Sequence, residues 1–131
     1  MSVRYLVIED VVEMHAIVIR LSGGSFGIRD HGVLSGCLER PKTAFGGKDM
    51  YPTLHAKAAA CIDTIARNHP LVDGNKRTAF LSGARFLSMN DIELAITDDE
   101  IVRGMIWVVT EHPSIEEIAA WLEKQSRRLE N

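Results

Sequence analysis

The chain has 131 residues and a mass of 14.6 kDa, which is the size of one small domain. Hydrophobic residues make up 46% of it and charged residues 25%, a balance that supports a packed core and excludes wholesale disorder. The formal net charge of −3 and the pI near 5.9 argue against a general nucleic-acid or membrane-surface binder. We therefore expect a single domain over residues 1–131.

The cysteines and the apolar segments indicate the compartment. Cys37 and Cys61 lack the spacing of a disulfide framework or a cysteine-rich zinc site, so we expect buried free thiols. No apolar run approaches the roughly 20 residues needed to span a bilayer. The N-terminus carries no signal-peptide pattern. These features predict a cytoplasmic protein.

The spacing of apolar residues predicts a mostly helical chain. Val3–Val7 is short and β-prone, and we expect it to form a small edge strand. A first helix should run from Ile8 to Leu21, where a glycine pair ends it. A second helix, capped by Asp30, should cover His31–Glu39. Residues 41–52 lie between prolines and centre on two glycines, which predicts a turn or flap.

The second half of the chain continues the helical pattern. A third helix, capped by Thr53, should run to Asn68, and its three consecutive alanines predict a close approach to a neighbouring helix. A fourth helix is predicted over 75–89 and a short extended piece over 93–96. Two capping boxes open the fifth and sixth helices, namely Thr97 with Glu100 and Ser114 with Glu117.

The segment His69–Arg77, HPLVDGNKR, concentrates chemically active side chains between two apolar helices. The first turn of a helix has free N–H groups and a partial positive charge. Lys76 and Arg77 in that turn would each lose on the order of 0.3–1 kcal/mol unless an anion is bound there. Gly74 lets the backbone approach such a ligand. The combination predicts a phosphate-binding turn.

Three other side chains in this segment each admit two interpretations. Asp73 is either the N-cap of the fourth helix or a magnesium ligand beside bound phosphates. His69 is either an exposed residue at a helix end or a general base. Asn75 is either a turn residue in the left-handed conformation or an amide donor to a phosphoryl oxygen.

The stretch HPLVDGNKRTA resembles the central motif of the Fic/Doc superfamily, His-x-Phe-x-Asp/Glu-Gly-Asn. Its Asn-Lys-Arg ending is similar to the Doc branch, the death-on-curing toxins of toxin–antitoxin modules. The segments IRDHGVLSGCLERP, YPTLHAKAA and FLSMND are similar too, so the resemblance covers about residues 5–95. It implies an all-α, six-helix fold with the motif between two central helices, and a target-docking flap at about Thr43–Tyr51.

The resemblance also implies an activity. Doc-type proteins transfer the terminal phosphate of ATP to a threonine of elongation factor Tu, which arrests translation, and the reaction uses Mg²⁺. The roles that carry over are the base His69, the magnesium ligand Asp73, the anion-binding turn Gly74 and Asn75, and the phosphate clamp Lys76 and Arg77. Phosphoryl transfer mainly requires positioning and neutralisation of charge, which this set supplies.

The sequence departs from the family pattern at three positions. Leu71 replaces the usual Phe, which we interpret as a change in core packing. Adenylylating Fic enzymes have Gly at the position of Lys76 and a further Arg at the position of Phe80. The bulky lysine and the missing arginine favour phosphate transfer, with AMP transfer to a protein hydroxyl as the alternative.

A third interpretation is a non-catalytic module that binds a nucleotide or nucleic acid. The net charge of −3 and the presence of His69 argue against it, and we expect neither DNA nor membrane binding. The sequence has no match to the inhibitory helix that some Fic proteins carry. The resemblance therefore implies a separate Phd-like antitoxin whose disordered tail folds over the cleft.

Overall fold

A computed structural model describes residues 2–128 of the chain. The helices of this part are α1 (Ile8–Ser22), α2 (His31–Glu39), α3 (Leu54–Asn68), α4 (Asn75–Met89), α5 (Asp98–Glu111) and α6 (Ile115–Lys124). The strands are β1 (Ala44–Phe45), β2 (Lys48–Asp49), β3 (Ile92–Leu94) and β4 (Ser126–Arg128). A 3₁₀ turn at Arg40–Lys42 follows α2. The predicted all-α class and the six predicted helices are confirmed.

Helix α3 lies at the centre of the bundle. Ten consecutive residues, Lys57–Ala66, are buried, and α3 packs against α4 and α6. Gly83 of α4 permits the close approach, because a Cβ there would lie 2.5 Å from the Ile62 Cγ1. The alanines of α3, Ala58–Ala60, are fully buried, which confirms the predicted contact between helices.

Side-chain caps form at the predicted helix starts. The Asp30 Oδ1 accepts a hydrogen bond from the backbone N–H of Val33 at 3.0 Å, and the Thr53 Oγ1 accepts one from that of Ala56 at 3.0 Å. Both capping boxes are present, Thr97 with Glu100 and Ser114 with Glu117. These caps fix the helix boundaries within a residue of the prediction.

The predicted edge strand Val3–Val7 is wrong. The Arg4 N–H donates to the Asn90 Oδ1 at 3.0 Å, and the Asn90 Nδ2 donates to the Arg4 carbonyl at 2.9 Å. A side-chain amide thus takes the place of a neighbouring strand. The predicted extended piece is β3, which begins one residue earlier and pairs antiparallel with β4, with Ile92 opposite Arg128.

The predicted flap is a short antiparallel hairpin. Ala44 lies opposite Asp49 and Phe45 opposite Lys48. The turn residues Gly46 and Gly47 have φ of 55° and 80°, and two positive φ values give a turn whose twist matches that of the strands. We refer to Thr43–Tyr51 as the flap.

The cysteines also match expectation. Cys37 and Cys61 are buried free thiols, as predicted. Burial raises the pKa of the Cys61 thiol to about 12, which makes it unreactive near neutral pH. None of the helices within residues 2–128 is long and apolar enough to cross a membrane.

Candidate active site

The residues predicted to form a site come together around one cavity of about 780 Å³. It lies where the α3–α4 connection meets α1 and the end of α5. The predicted residues that line it are His69, Asp73, Gly74, Asn75, Lys76 and Arg77. A volume of this size is typical of a small-molecule site.

His69 ends α3 in the left-handed conformation, with φ 47° and ψ 57°. Its N–H donates to the Ile65 carbonyl at 3.3 Å, and its own carbonyl accepts from the Arg29 Nε at 2.5 Å. Arg29 also donates from Nη2 to the Asn68 carbonyl at 2.8 Å, so one guanidinium caps the end of α3. The His69 backbone is therefore fixed while its side chain is exposed at the cavity.

The loop after His69 is held by an earlier segment of the chain. The Val72 N–H donates to the Gly27 carbonyl at 3.0 Å, and the Arg29 N–H donates to the Pro70 carbonyl at 2.8 Å. Ile28 and Leu71 form an isolated antiparallel bridge between these bonds. Residues 27–29 thus act as a strap across the motif, a partner that the motif itself does not reveal.

Leu71 and Asn75 shape the loop from within. Leu71 is 1% exposed, so the residue that replaces the usual Phe is a core residue, as interpreted. The Asn75 Oδ1 accepts from the Leu71 N–H and the Asn75 Nδ2 donates to the Leu71 carbonyl, both at 3.0 Å. The interpretation of Asn75 as a left-handed turn residue is wrong, because it is the first residue of α4 and Gly74 adopts that conformation.

The start of α4 leaves its backbone donors free. Gly74 is the N-cap, with φ 70° and no side-chain cap. The first helical bond runs from the Thr78 N–H to the Gly74 carbonyl at 2.9 Å. Within residues 2–128 the N–H groups of Asn75, Lys76 and Arg77 have no hydrogen-bond partner. The exposed side chains of Lys76 and Arg77 form no ion pair in the described part of the chain. This end of the helix is suited to an anion.

Asp73 does not cap α4, so that interpretation is wrong. Its Oδ2 accepts from the Ser25 N–H at 2.7 Å, while the other oxygen has no partner within residues 2–128. Asp73 is exposed and is the one carboxylate among the described residues that line the cavity. A single free carboxylate oxygen beside an anion site fits Mg²⁺, which is commonly held by one or two carboxylates together with phosphate oxygens.

Three side chains at or beneath the cavity were missed by the sequence analysis. Arg67 and His112 line the cavity wall. His15 of α1 is 1% exposed and lies beneath it, where its Nε2 accepts from the Gly27 N–H at 3.2 Å and its Nδ1 lies 3.4 Å from the Thr78 Oγ1. Burial lowers the pKa of His15, and the nearby carboxylate of Asp73 opposes this effect.

One signal in the sequence could have revealed His15. It lies in line with the buried residues Val11 and Val18 on α1, so a histidine occupies an otherwise apolar face. No comparable signal marks His112, because only the packing of α5 brings it to the cavity.

A fold of six helices, with this motif between the two central ones and an uncapped start of the second, is typical of one family of proteins. The chain belongs to the Fic/DOC family, whose sequence model matches residues 5–87. The resemblance noted in the sequence is thereby confirmed. The chain is also similar to Toxin Doc of Mycolicibacterium smegmatis, with 41% identity over 121 residues that cover 90% of each chain.

Proposed function

We propose that this chain is a Doc-type toxin that transfers the terminal phosphate of ATP to a threonine hydroxyl of elongation factor Tu and so arrests translation. One observation carries the proposal: His69 and the uncapped start of α4, with Lys76 and Arg77, line the same cavity. A potential base and a phosphate-binding turn thus face one space. The 41% identity to Toxin Doc supports the same assignment.

In this mechanism the protein supplies position and charge. His69 accepts the proton of the attacking hydroxyl, and its fixed backbone keeps the imidazole at the cavity. The free N–H groups of α4, Lys76 and Arg77 bind the phosphates and offset the charge that develops during transfer. Mg²⁺ bound by Asp73 would supply further neutralisation of the phosphate oxygens.

The side chain at position 80 supports transfer of phosphate rather than AMP. Phe80 is 2% exposed, and its ring centroid lies 6.0 Å from that of Trp121. Its side chain therefore belongs to the core, and α4 offers no second arginine to the phosphates at this turn. The chain thus differs from the adenylylating enzymes at two positions of this region, because Lys76 takes the place of glycine and Phe80 that of arginine.

The flap and a groove beside the cavity offer apolar surfaces to the two proposed protein partners. Phe45 on the flap is 71% exposed, which provides an apolar contact for the target. A groove of about 430 Å³ between α1 and α5 adjoins the cavity and shares Lys76 and Arg77 with it. Its rim exposes Leu21 (80%) and Ile106 (49%), a surface that suits the folded tail of a Phd-like antitoxin. We place both encounters in the cytoplasm.

The test is intact-protein and peptide mass spectrometry of elongation factor Tu after incubation with this protein, ATP and Mg²⁺. The expected product carries one phosphate on one threonine, and His69→Ala should abolish it while ATP binding persists. A nucleotide adduct instead of a phosphate would assign AMP transfer. An unmodified factor would reject the proposed target.

The antitoxin is tested separately. The product of the neighbouring gene should co-purify with this chain and stop the transfer reaction. Replacing Leu21 by Asp should weaken that complex, because it places a charge on the apolar groove. A complex that tolerates Leu21→Asp would remove the groove from the antitoxin interface.

A further inference from the structure

Asp63 of α3 connects the cavity to the flap through two arginines. Its side chain is only 7% exposed. The Oδ1 accepts from the Arg67 Nε at 2.8 Å, and the Oδ2 accepts from the Arg40 Nη1 at 2.8 Å. A buried carboxylate requires such partners, because an uncompensated buried charge is strongly destabilising. Both arginines are therefore held in place by the same group.

One arm of this arrangement ends at the cavity. Arg67 lies two residues before His69 and lines the cavity wall. Its Nε is bound to Asp63, whereas its two terminal nitrogens have no partner within residues 2–128. A guanidinium held through Nε presents its terminal donors as a rigid fork, the geometry that matches two oxygens of a phosphate.

The other arm ends at the flap. The Arg40 Nε donates to the Tyr51 Oη at 3.1 Å, and the guanidinium carbon lies 5.7 Å from the centre of the Tyr51 ring. The Tyr51 carbonyl accepts from the buried Lys57 Nζ, which also pairs with Asp49 of β2 at 3.0 Å. The flap is thus anchored to α3 by two cations, Lys57 and Arg40. Arg40 acts through Asp63, the same residue that holds Arg67 at the cavity.

We propose that Arg67 is a third phosphate-binding cation of the cavity, and that Asp63 is the positioning residue that orients it and, through Arg40, anchors the flap. The inference rests on the proposed function in taking the ligand to be a polyphosphate. The role of Arg67 is tested with inorganic pyrophosphate, so the result does not depend on any transfer reaction.

The first experiment is calorimetric titration of the whole protein with magnesium pyrophosphate. Arg67→Gln should weaken binding on the order of tenfold, the scale of a lost charge-assisted hydrogen bond. Arg67→Lys should restore part of the affinity, because it keeps the charge but not the fork. Arg85→Gln is the matched control, since Arg85 is an exposed arginine of α4 that does not line the cavity.

Two results would overturn the role of Arg67. One is wild-type affinity in Arg67→Gln while Arg77→Gln loses affinity. The other is an absence of pyrophosphate binding by the wild-type protein. The melting temperatures of all variants should be compared first, and Arg67→Gln leaves Asp63 paired with Arg40, so the fold should persist.

The second experiment tests Asp63. If Asp63 acts through Arg67, Asp63→Asn should weaken pyrophosphate binding, and the double variant with Arg67→Gln should bind no more weakly than Arg67→Gln alone. Additive losses would overturn the positioning role, since a general loss of structure does not depend on Arg67.

The anchoring of the flap has its own readout. Arg40→Gln should speed amide hydrogen exchange in residues 44–51 several-fold while leaving pyrophosphate affinity near that of the wild type. Unchanged exchange would overturn the anchoring role. This variant and Arg67→Gln each leave Asp63 one arginine, so both remain informative if Asp63→Asn fails to fold.

Failure of the proposed function gives a different result. Loss of pyrophosphate affinity in Arg67→Gln, together with an unmodified elongation factor Tu, would retain Arg67 as a phosphate ligand and reject the target. If the wild-type protein phosphorylates the factor while Arg67→Gln keeps the wild-type affinity for pyrophosphate, the target would be retained and the role of Arg67 rejected.

Discussion

The side chain of Asn75 pairs with the backbone of Leu71 as a neighbouring strand would, with one bond accepted and one donated at 3.0 Å each. The pair closes the loop that carries Val72 and Asp73. Its role is therefore structural first: it holds the turn in the shape that leaves the α4 donors free. Any contact of this amide with a phosphate must use the hydrogen that Leu71 does not.

The first prediction concerns that pair. Asn75→Ala should lower the free energy of unfolding by about 1–3 kcal/mol, because it leaves two backbone groups of Leu71 without a partner. Asn75→Asp keeps the acceptor and loses the donor, so its free energy of unfolding should lie between those of the wild type and Asn75→Ala. Urea denaturation measures both. Equal stability of Asn75→Ala and the wild type would show that the pair does not hold the loop.

The second prediction concerns the N-cap of α4. Gly74→Ala should destabilise the fold by about 1–2 kcal/mol, because the residue has φ 70° and a Cβ would lie 3.1 Å from the Val18 Cγ1. Gly36→Ala in α2 is the matched control, since apart from its chain neighbours and its own helix backbone no heavy atom lies within 4 Å of its Cβ position. That change should stabilise by up to about 1 kcal/mol. If both substitutions changed the free energy of unfolding in the same direction, the conformational argument would be refuted.

The third prediction separates the two oxygens of Asp73. Asp73→Asn keeps an oxygen that can accept from the Ser25 N–H, so unfolding in urea should match the wild type. Phosphate transfer should fall on the order of 100-fold, because the charged oxygen proposed to bind Mg²⁺ is lost. Transfer measured across a magnesium titration checks this. Wild-type magnesium dependence in the variant would remove Asp73 from the metal site.

The fourth prediction concerns pH. Burial lowers the pKa of His15 from 6.5, so below about pH 6.5 the unfolded chain binds a proton that the folded chain resists. This difference should cost less than about 1.4 kcal/mol of stability for each pH unit, the limit for one proton. Protonation would also remove the lone pair that accepts from the Gly27 N–H.

The measurement is urea denaturation at pH 7.5 and at pH 5.5. His15→Gln should lose less stability between these values than the wild type does. His31→Gln is the control, because His31 is exposed at the start of α2, and it should keep the wild-type slope. Identical slopes in the wild type and His15→Gln would exclude His15 as the source.

Local signals in the sequence predicted the helices well. Caps such as Asp30 and Thr53 act within three residues of their own position, so their effect is visible in the sequence. The edge strand failed for the opposite reason. Val3–Val7 can form a strand only if another strand lies beside it. The backbone of Arg4 instead bonds to the side chain of Asn90, which is more than 80 residues away in the sequence.

The candidate site was likewise predictable only where its residues lie close together in the sequence. The residues of the motif were predicted because they are adjacent in sequence, and the structure gathers them at one cavity. Their supports were not predicted, because His15 contacts the strap and Arg29 contacts His69 only through tertiary contacts. Asp73 shows the limit within the motif: its carboxylate bonds to Ser25, 48 residues away, rather than to the helix that follows it.

The strap formed by residues 27–29 has a consequence for how the protein is made. It pairs with the motif across about 40 residues of chain, so this intervening chain must close into a loop before the site can form. During synthesis, a nascent chain that ends within α3 has the strap but not the loop, and a fragment that starts at α3 has the loop but not the strap. The candidate site is therefore complete only when both halves have left the ribosome and packed together, that is, when the chain can fold as a unit.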